Sequence, residues 1–129
     1  MAGFTKFEEI EAWKKARELC VLIYKITLKD KFSKDFSLKD QIKRSSGSVM
    51  DNIAEGFERG EKKEFIQFLY ISKSSSAETK SQLYRALDYE YINKEEFEIC
   101  YEKCNECAKI IAGLINYLKS SEIKGPKYL

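Results

Sequence analysis

The chain has 129 residues, 43% of them hydrophobic and 34% charged, with one proline, six glycines, eight phenylalanines and eight tyrosines. That length carries one domain with its own core, and so little Pro and Gly excludes a loop-rich or all-β fold. The formal net charge of +2 neither demands nor excludes nucleic acid, and the lack of any histidine removes the commonest general base and metal ligand.

No stretch approaches the length of a continuous apolar membrane span, so no membrane partner is expected. Residues 1–9 lack the apolar run of a secretory signal, which makes the cytoplasm the expected compartment. A first helix is expected over 8–28. Ile10, Trp13, Ala16, Leu19 or Cys20, Ile23, and Ile26 or Thr27 recur at three-four spacing, with Lys14, Lys15, Arg17 and Glu18 on the other side. Trp13 reads as a core anchor or as an aromatic facing a partner. Residues 29–37 read as a polar loop whose Phe32 and Phe36 tuck over the end of the fold.

Ser37 followed by Asp40 is a variant capping box and opens a second helix at 38–56. Its apolar side is Leu38, Ile42, Val49, Ile53 and Phe57, with Ser45, Asn52 and Gly56 beside it. Gly47 costs about 1 kcal/mol in mid-helix, which reads either as local tolerance or as close contact with another backbone. Gly56 and Gly60 bracket the exit, and either can supply a positive φ. A third helix follows over 61–88, marked by Phe65, Phe68, Leu69, Ser72, Ser76, Thr79, Leu83, Ala86 and Leu87. Its serine run stays in phase with the flanking pattern. Helices two and three are therefore expected to cross closely, Gly47, Ser48 and Asn52 opposite Ser72, Ser75 and Ser76.

Asn93 with Glu96 signals another cap, and a fourth helix over 94–120 follows. Its stripe runs Phe97, Cys100 or Tyr101, Cys104, Cys107 or Ala108, Ile111, Leu114 or Ile115, and Leu118. The expected fold is all-α: an antiparallel up-down-up-down four-helix bundle, left-handed, over 1–121, with a flexible tail at 122–129 after Ser121.

Cys100, Cys104 and Cys107 share one face, the arrangement that a soft metal would need. Without histidine or a Cys-x-x-Cys knuckle, they read as core. Asp51, Glu55, Glu58 and Glu61 are interspersed with Arg44, Arg59, Lys62 and Lys63 and show no convergence on a cleft. The expectation is no enzyme, no metal, no cofactor and no small-molecule substrate. The candidates for phosphate contact are Lys14, Arg17, Lys39, Lys43, Arg44, Arg59, Lys62 and Lys63, set against an ordinary charged exterior.

Phe7-Glu8-Glu9-Ile10-Glu11-Ala12-Trp13-Lys14-Lys15-Ala16-Arg17-Glu18-Leu19, Ser48-Val49-Met50-Asp51-Asn52-Ile53-Ala54-Glu55-Gly56-Phe57, Lys63-Glu64-Phe65-Ile66-Gln67-Phe68-Leu69-Tyr70-Ile71 and Ser75-Ser76-Ala77-Glu78 together carry a resemblance over nearly the whole chain. It resembles the small bacterial four-helix-bundle proteins encoded in intervening sequences of large-subunit ribosomal RNA genes, some of them called ribosomal-protein-like. The chain departs from that pattern at Met50, where the family often has proline, and at Ser45 and Ser74, where alanine and glycine are usual. The resemblance implies a homo-oligomer, often a pentameric ring. It also implies kinship with an accessory protein of diversity-generating retroelements, which binds a reverse transcriptase and nucleic acid. The implied partner is RNA or a nucleic-acid enzyme; the alternative is a protein-only structural or regulatory scaffold. The polar set matching the family, Arg44, Asn52, Glu55, Arg59 and Glu78, is assigned to a structural network in which Glu78 would pair with Arg44.

Overall fold

Amphipathic spacing becomes helix almost throughout the chain. The computed structural model describes residues 3–121, and the tail expected at 122–129 lies outside the described residues. A 3-10 turn at Phe7–Glu9 leads into α1 (Glu11–Thr27). The short α2 (Asp30–Lys34) follows, then α3 (Phe36–Glu58), α4 (Lys62–Asp88) and α5 (Lys94–Ser120). No strand occurs among the described residues.

The ends follow local chemistry. Ile10 is extended (φ −78°, ψ 122°), which separates the 3-10 turn from α1 and moves the helix start past residue 8. Residues 29–37 are not the expected loop, because α2 occupies most of them. Phe32 does tuck in, fully buried and stacked on Tyr91 at 5.3 Å, but Phe36 is 73% exposed. The cap of α3 is Asp35 rather than Ser37. Asp35 holds a non-helical ψ of 83°, and its Oδ1 accepts from the Leu38 N–H at 3.0 Å. Its Oδ2 accepts from Tyr91 Oη at 2.8 Å, which ties the start of α3 to the α4–α5 connection. Gly60 supplies the positive φ, +77°, after α3. Asn93 and Glu96 form the complete capping box of α5.

α3 packs on α1 and α4, and α5 packs on α1 and α4. Residue pairs rise along one helix as they fall along its neighbour: Ser45 with Gln82, Ser48 with Ser75 and Val49 with Ser72 between α3 and α4. Cys20 with Ser46 and Tyr24 with Lys43 follow the same rule between α1 and α3. The core between them holds Leu19, Ile23, Ile42, Ile53, Phe57, Phe65, Leu83, Cys104 and Ile111, all fully buried.

The two α3 glycines differ. A Cβ on Gly47 would meet nothing within 4 Å, so that glycine is local tolerance and not a backbone contact. A Cβ on Gly56 would lie 2.5 Å from Phe68 Cβ, so Gly56, inside α3 rather than at its exit, is where α4 approaches closely.

Candidate functional site

The polar seam between α3 and α4 is the densest arrangement of hydrogen bonds in the interior. Ser45 Oγ lies 2.8 Å from Thr79 Oγ1 and donates to Gln82 Oε1 at 2.6 Å. Ser48 and Ser75 hydroxyls meet at 2.8 Å, and Ser72 Oγ donates to the Val49 carbonyl at 2.6 Å. Asn52 Nδ2 donates to the Ser48 carbonyl and hydroxyl, both at 2.8 Å. Each buried hydroxyl thus finds a partner, which low-dielectric surroundings require. These bonds join α3 to α4 from within the fold. Ser76 turns the other way, toward the Cys104 carbonyl of α5 at 3.4 Å. Thr79 lies on the face expected from the sequence, while Gln82 was missed although its spacing from Thr79 continues that face.

Of the expected network, Asn52 joins this seam. Arg44 Nε pairs at 2.9 Å with Asp40, one turn earlier, and Glu78 is exposed without an ion pair to Arg44 among the described residues. Arg59 pairs with Glu55 at 3.0 Å and Glu64 at 3.6 Å, on the surface.

The eight basic candidates fall into three places. Lys14 and Arg17 border a groove of about 550 Å³ between α1 and α5, with Val21, Leu22, Glu18 and Lys103. Beside it, α1 and α5 are joined by exposed ion pairs: Lys103 to Glu18 at 2.8 Å and to Glu106 at 2.9 Å, and Lys15 to Glu106 at 3.5 Å. These two carboxylates hold the Lys103 ammonium above its ordinary range. Lys39, Lys43 and Arg44 lie near the start of α3. Lys39 Nζ stands 4.9 Å from the Phe36 ring centre, and Lys43 Nζ stands 5.8 Å from that of Tyr24. Arg59, Lys62 and Lys63 lie about 30 Å away at the other end of α3. There Lys62 Nζ donates to the Ser121 carbonyl at 2.7 Å.

The face that joins the first two places is apolar as well as basic. Lys14, Arg17, Val21, Tyr24 and Leu28 follow one another by three or four residues along α1 and its end. Val21, Tyr24 and Leu28 are 48%, 53% and 60% exposed. Lys43 carries the face across from Tyr24 to α3, and Lys39 carries it on to Phe36. The signal was in the sequence as a second stripe on α1, opposite the core stripe. Trp13 is partly buried, edge-on to Phe7 at 5.1 Å and with the Arg17 guanidinium 5.8 Å from its centre.

Cys100, Cys104 and Cys107 are core, and Cys20 is half-buried. Burial pushes the Cys104 and Cys107 thiols up to about 12 and those of Cys20 and Cys100 to about 11. Among the described residues, no group of three or more His, Cys, Asp or Glu is placed to hold a metal ion, and no helix is long and apolar enough to cross a membrane.

One solved structure similar to this chain is a crystal structure of a protein of unknown function from the S23 ribosomal protein family of Bacteroides thetaiotaomicron VPI-5482. It is 29% identical, with a TM-score of 0.74, and the match covers 81% of this chain and 97% of that one. No curated protein matches the chain. The model of the 23S rRNA-intervening sequence protein family matches residues 8–113, and with this helical architecture and that structural likeness the chain belongs to that family.

Proposed function

We propose that this is a non-catalytic, self-associating four-helix bundle, up-down-up-down and left-handed, which serves as an accessory protein holding RNA or a nucleic-acid enzyme. One observation carries the reading: the exposed apolar residues Val21, Tyr24, Leu28 and Phe36 share a face with Lys14, Arg17, Lys39 and Lys43. A solitary bundle gains nothing by leaving such a face in water, whereas a second copy would cover its apolar centre. The basic rim would then repeat around the symmetry axis, and a ring of five is the assembly we favour. Phosphate contacts that are weak one at a time would act together. Kinship with the retroelement accessory proteins belongs to this proposal.

Light scattering coupled to size exclusion tests the assembly, with Tyr24→Glu and Leu28→Glu expected to release monomers. Fluorescence anisotropy on RNA at about 50 and 200 mM salt tests the binding, which should fall steeply with salt and weaken in K39Q/K43Q. A monomer that ignores RNA at low salt would overturn both parts. A second reading, a protein-only scaffold, is favoured by the self-pairing of Arg44 with Asp40 and of Arg59 with Glu55 and Glu64. An oligomer that binds no RNA would select it.

A further inference from the structure

α4 and α5 border a different groove, of about 360 Å³, with Tyr70, Lys73, Ala77 and Lys80 on one wall and Ala108 on the other. Tyr70, Lys73, Ala77, Lys80 and Tyr84 succeed one another by three or four residues, so they share one face of α4. The order is aromatic, cation, small, cation, aromatic. From Tyr70 to Tyr84 the helix rises about 21 Å, about the rise of six stacked nucleotides.

Both tyrosines are accessible: Tyr70 is 45% exposed and Tyr84 is 49% exposed. Tyr84 is also held in place. Its ring packs 4.8 Å from Phe97 and 5.6 Å from Tyr101, and those two stack at 5.2 Å. At the other end, Lys119 Nζ donates to Tyr70 Oη at 2.6 Å and stands 5.2 Å from the ring centre, off its hydroxyl end. Lys80 Nζ stands 4.8 Å from the centre of Tyr101.

The charge here is one-sided. Among the described residues, no carboxylate lines the groove. Lys73 has Leu69 and Ala77 one turn away on either side, and Lys80 has Ser76 and Tyr84. Lys15 and Lys34, by contrast, each have a carboxylate four residues earlier and pair with it. Among the described residues, Lys73, Lys80 and Lys119 enter no ion pair.

We propose that a single strand of nucleic acid lies along this α4–α5 groove, with bases stacked on Tyr70 and Tyr84 and phosphates held by Lys73, Lys80 and Lys119. Every base has a π-face, and a strand offers stacking surfaces and anions together, as this face offers two rings at its ends with two cations between them. A duplex keeps its base faces hidden and would gain only the phosphate contacts. The inference rests on the reading that the protein holds nucleic acid, and it adds a site separate from Lys39 and Lys43.

The test is fluorescence anisotropy of the whole protein with labelled oligouridine and oligodeoxythymidine of about 12 nucleotides and an RNA duplex of the same length. Both single strands should bind more tightly than the duplex, and any preference for the RNA strand would add a 2′-hydroxyl contact within the same groove. K73Q/K80Q should weaken binding and reduce the salt slope by about 1.4, since each single-strand phosphate contact contributes about 0.7. Y70L/Y84L should weaken it about tenfold or more with the slope unchanged, and Tyr84→Phe should restore the contribution of that ring. Thermal melts of each variant show that the fold is intact. Three results overturn the groove: unchanged affinity in these folded variants, a duplex bound as tightly as a single strand, or polyglutamate displacing the strand as effectively as unlabelled nucleic acid. If only K39Q/K43Q loses affinity, the groove falls and the RNA reading stands; if the unaltered protein binds no nucleic acid, both fall.

Discussion

Gly56→Ala and Gly47→Ala place the same methyl group on the same helix and should move stability in opposite directions. Alanine in mid-helix is favoured over glycine by about 0.8–1.0 kcal/mol, and at Gly47 that gain is unopposed because a Cβ there would meet nothing within 4 Å. At Gly56 the new Cβ would lie 2.5 Å from Phe68 Cβ, 3.1 Å from Phe65 Cδ1 and 3.2 Å from Phe68 Cγ. Carbon atoms prefer separations of about 3.5–4.0 Å, so the overlap is about 1 Å or more. A Cβ is fixed to its backbone, so rotating the Phe68 ring does not relieve the contact and α3 and α4 must part. That parting strains the Ser72–Val49 bond at 2.6 Å and the Ser48–Ser75 bond at 2.8 Å. Overpacking costs about 1–3 kcal/mol; at the upper end, less the helix gain, the net loss is about 2 kcal/mol. Urea unfolding followed by circular dichroism should show the Gly56→Ala midpoint falling by about 1 M and the Gly47→Ala midpoint rising by about half as much. A Gly56→Ala protein as stable as the original would refute the close crossing. A destabilised Gly47→Ala would refute the open space assigned to that face.

Ser45→Ala should cost about 1–3 kcal/mol in the same urea assay, because it removes the hydroxyl that buried Gln82 and Thr79 both contact; an unchanged midpoint would mean that the seam does not stabilise the fold. Acid should weaken the protein at two caps. Asp35 lies below its ordinary 3.8 mainly through the Leu38 N–H and then Tyr91, and Glu96 lies below its ordinary 4.5 mainly through Lys29 and then the Asn93 N–H. Folding therefore favours the ionised forms, so their contribution is present above those ordinary values and is lost as the pH falls through the lower folded ones. Glu96→Gln should flatten the acid limb of a stability–pH curve, and an identical limb would remove Glu96 from this role. Cys104 and Cys107 should resist a thiol-specific disulfide reagent at neutral pH until the protein unfolds, because burial keeps them protonated; rapid labelling of the folded protein would contradict their place in the core.

Long periodic stretches were legible in the sequence, and short or competitive choices were not. α5 begins and ends at the expected residues because Asn93 and Glu96 mark its start with a pair of reciprocal bonds. α2 escaped because five residues are too few to show a period. Asp35 displaced Ser37 as a cap because backbone angles decide that contest, and residue type alone does not. The serine stripe revealed a close seam, and Ser48 does meet Ser75; yet Ser76 serves α5, since neighbouring residues of one helix face different partners. Arg44 found Asp40 one turn away, and a local carboxylate outcompetes a remote one across an exposed helix pair. The apolar residues of α1 outside the core stripe were visible as letters, but only packing reveals which of them nothing covers.

The two flanks of α5 show how one fold separates structural work from contact with a partner. On the α1 side, Lys15, Lys103, Glu18 and Glu106 interlock, and charge closes the gap between helices. On the α4 side, Lys73, Lys80 and Lys119 pair with no carboxylate among the described residues, and rings stand beside them instead. The close α3–α4 seam contributes to this asymmetry. Along residues 45–52 it is lined by small or slender side chains, with Ser72, Ser75, Thr79 and Gln82 of α4 turned toward α3, while the bulky Tyr70 and Tyr84 lie on the side toward α5. A solvated face would need no aromatic ring there, and a sealed face would need acids to match its lysines. An α4 face with exposed rings, unpaired cations and no acids is suited to a ligand that brings both flat apolar surfaces and negative charge.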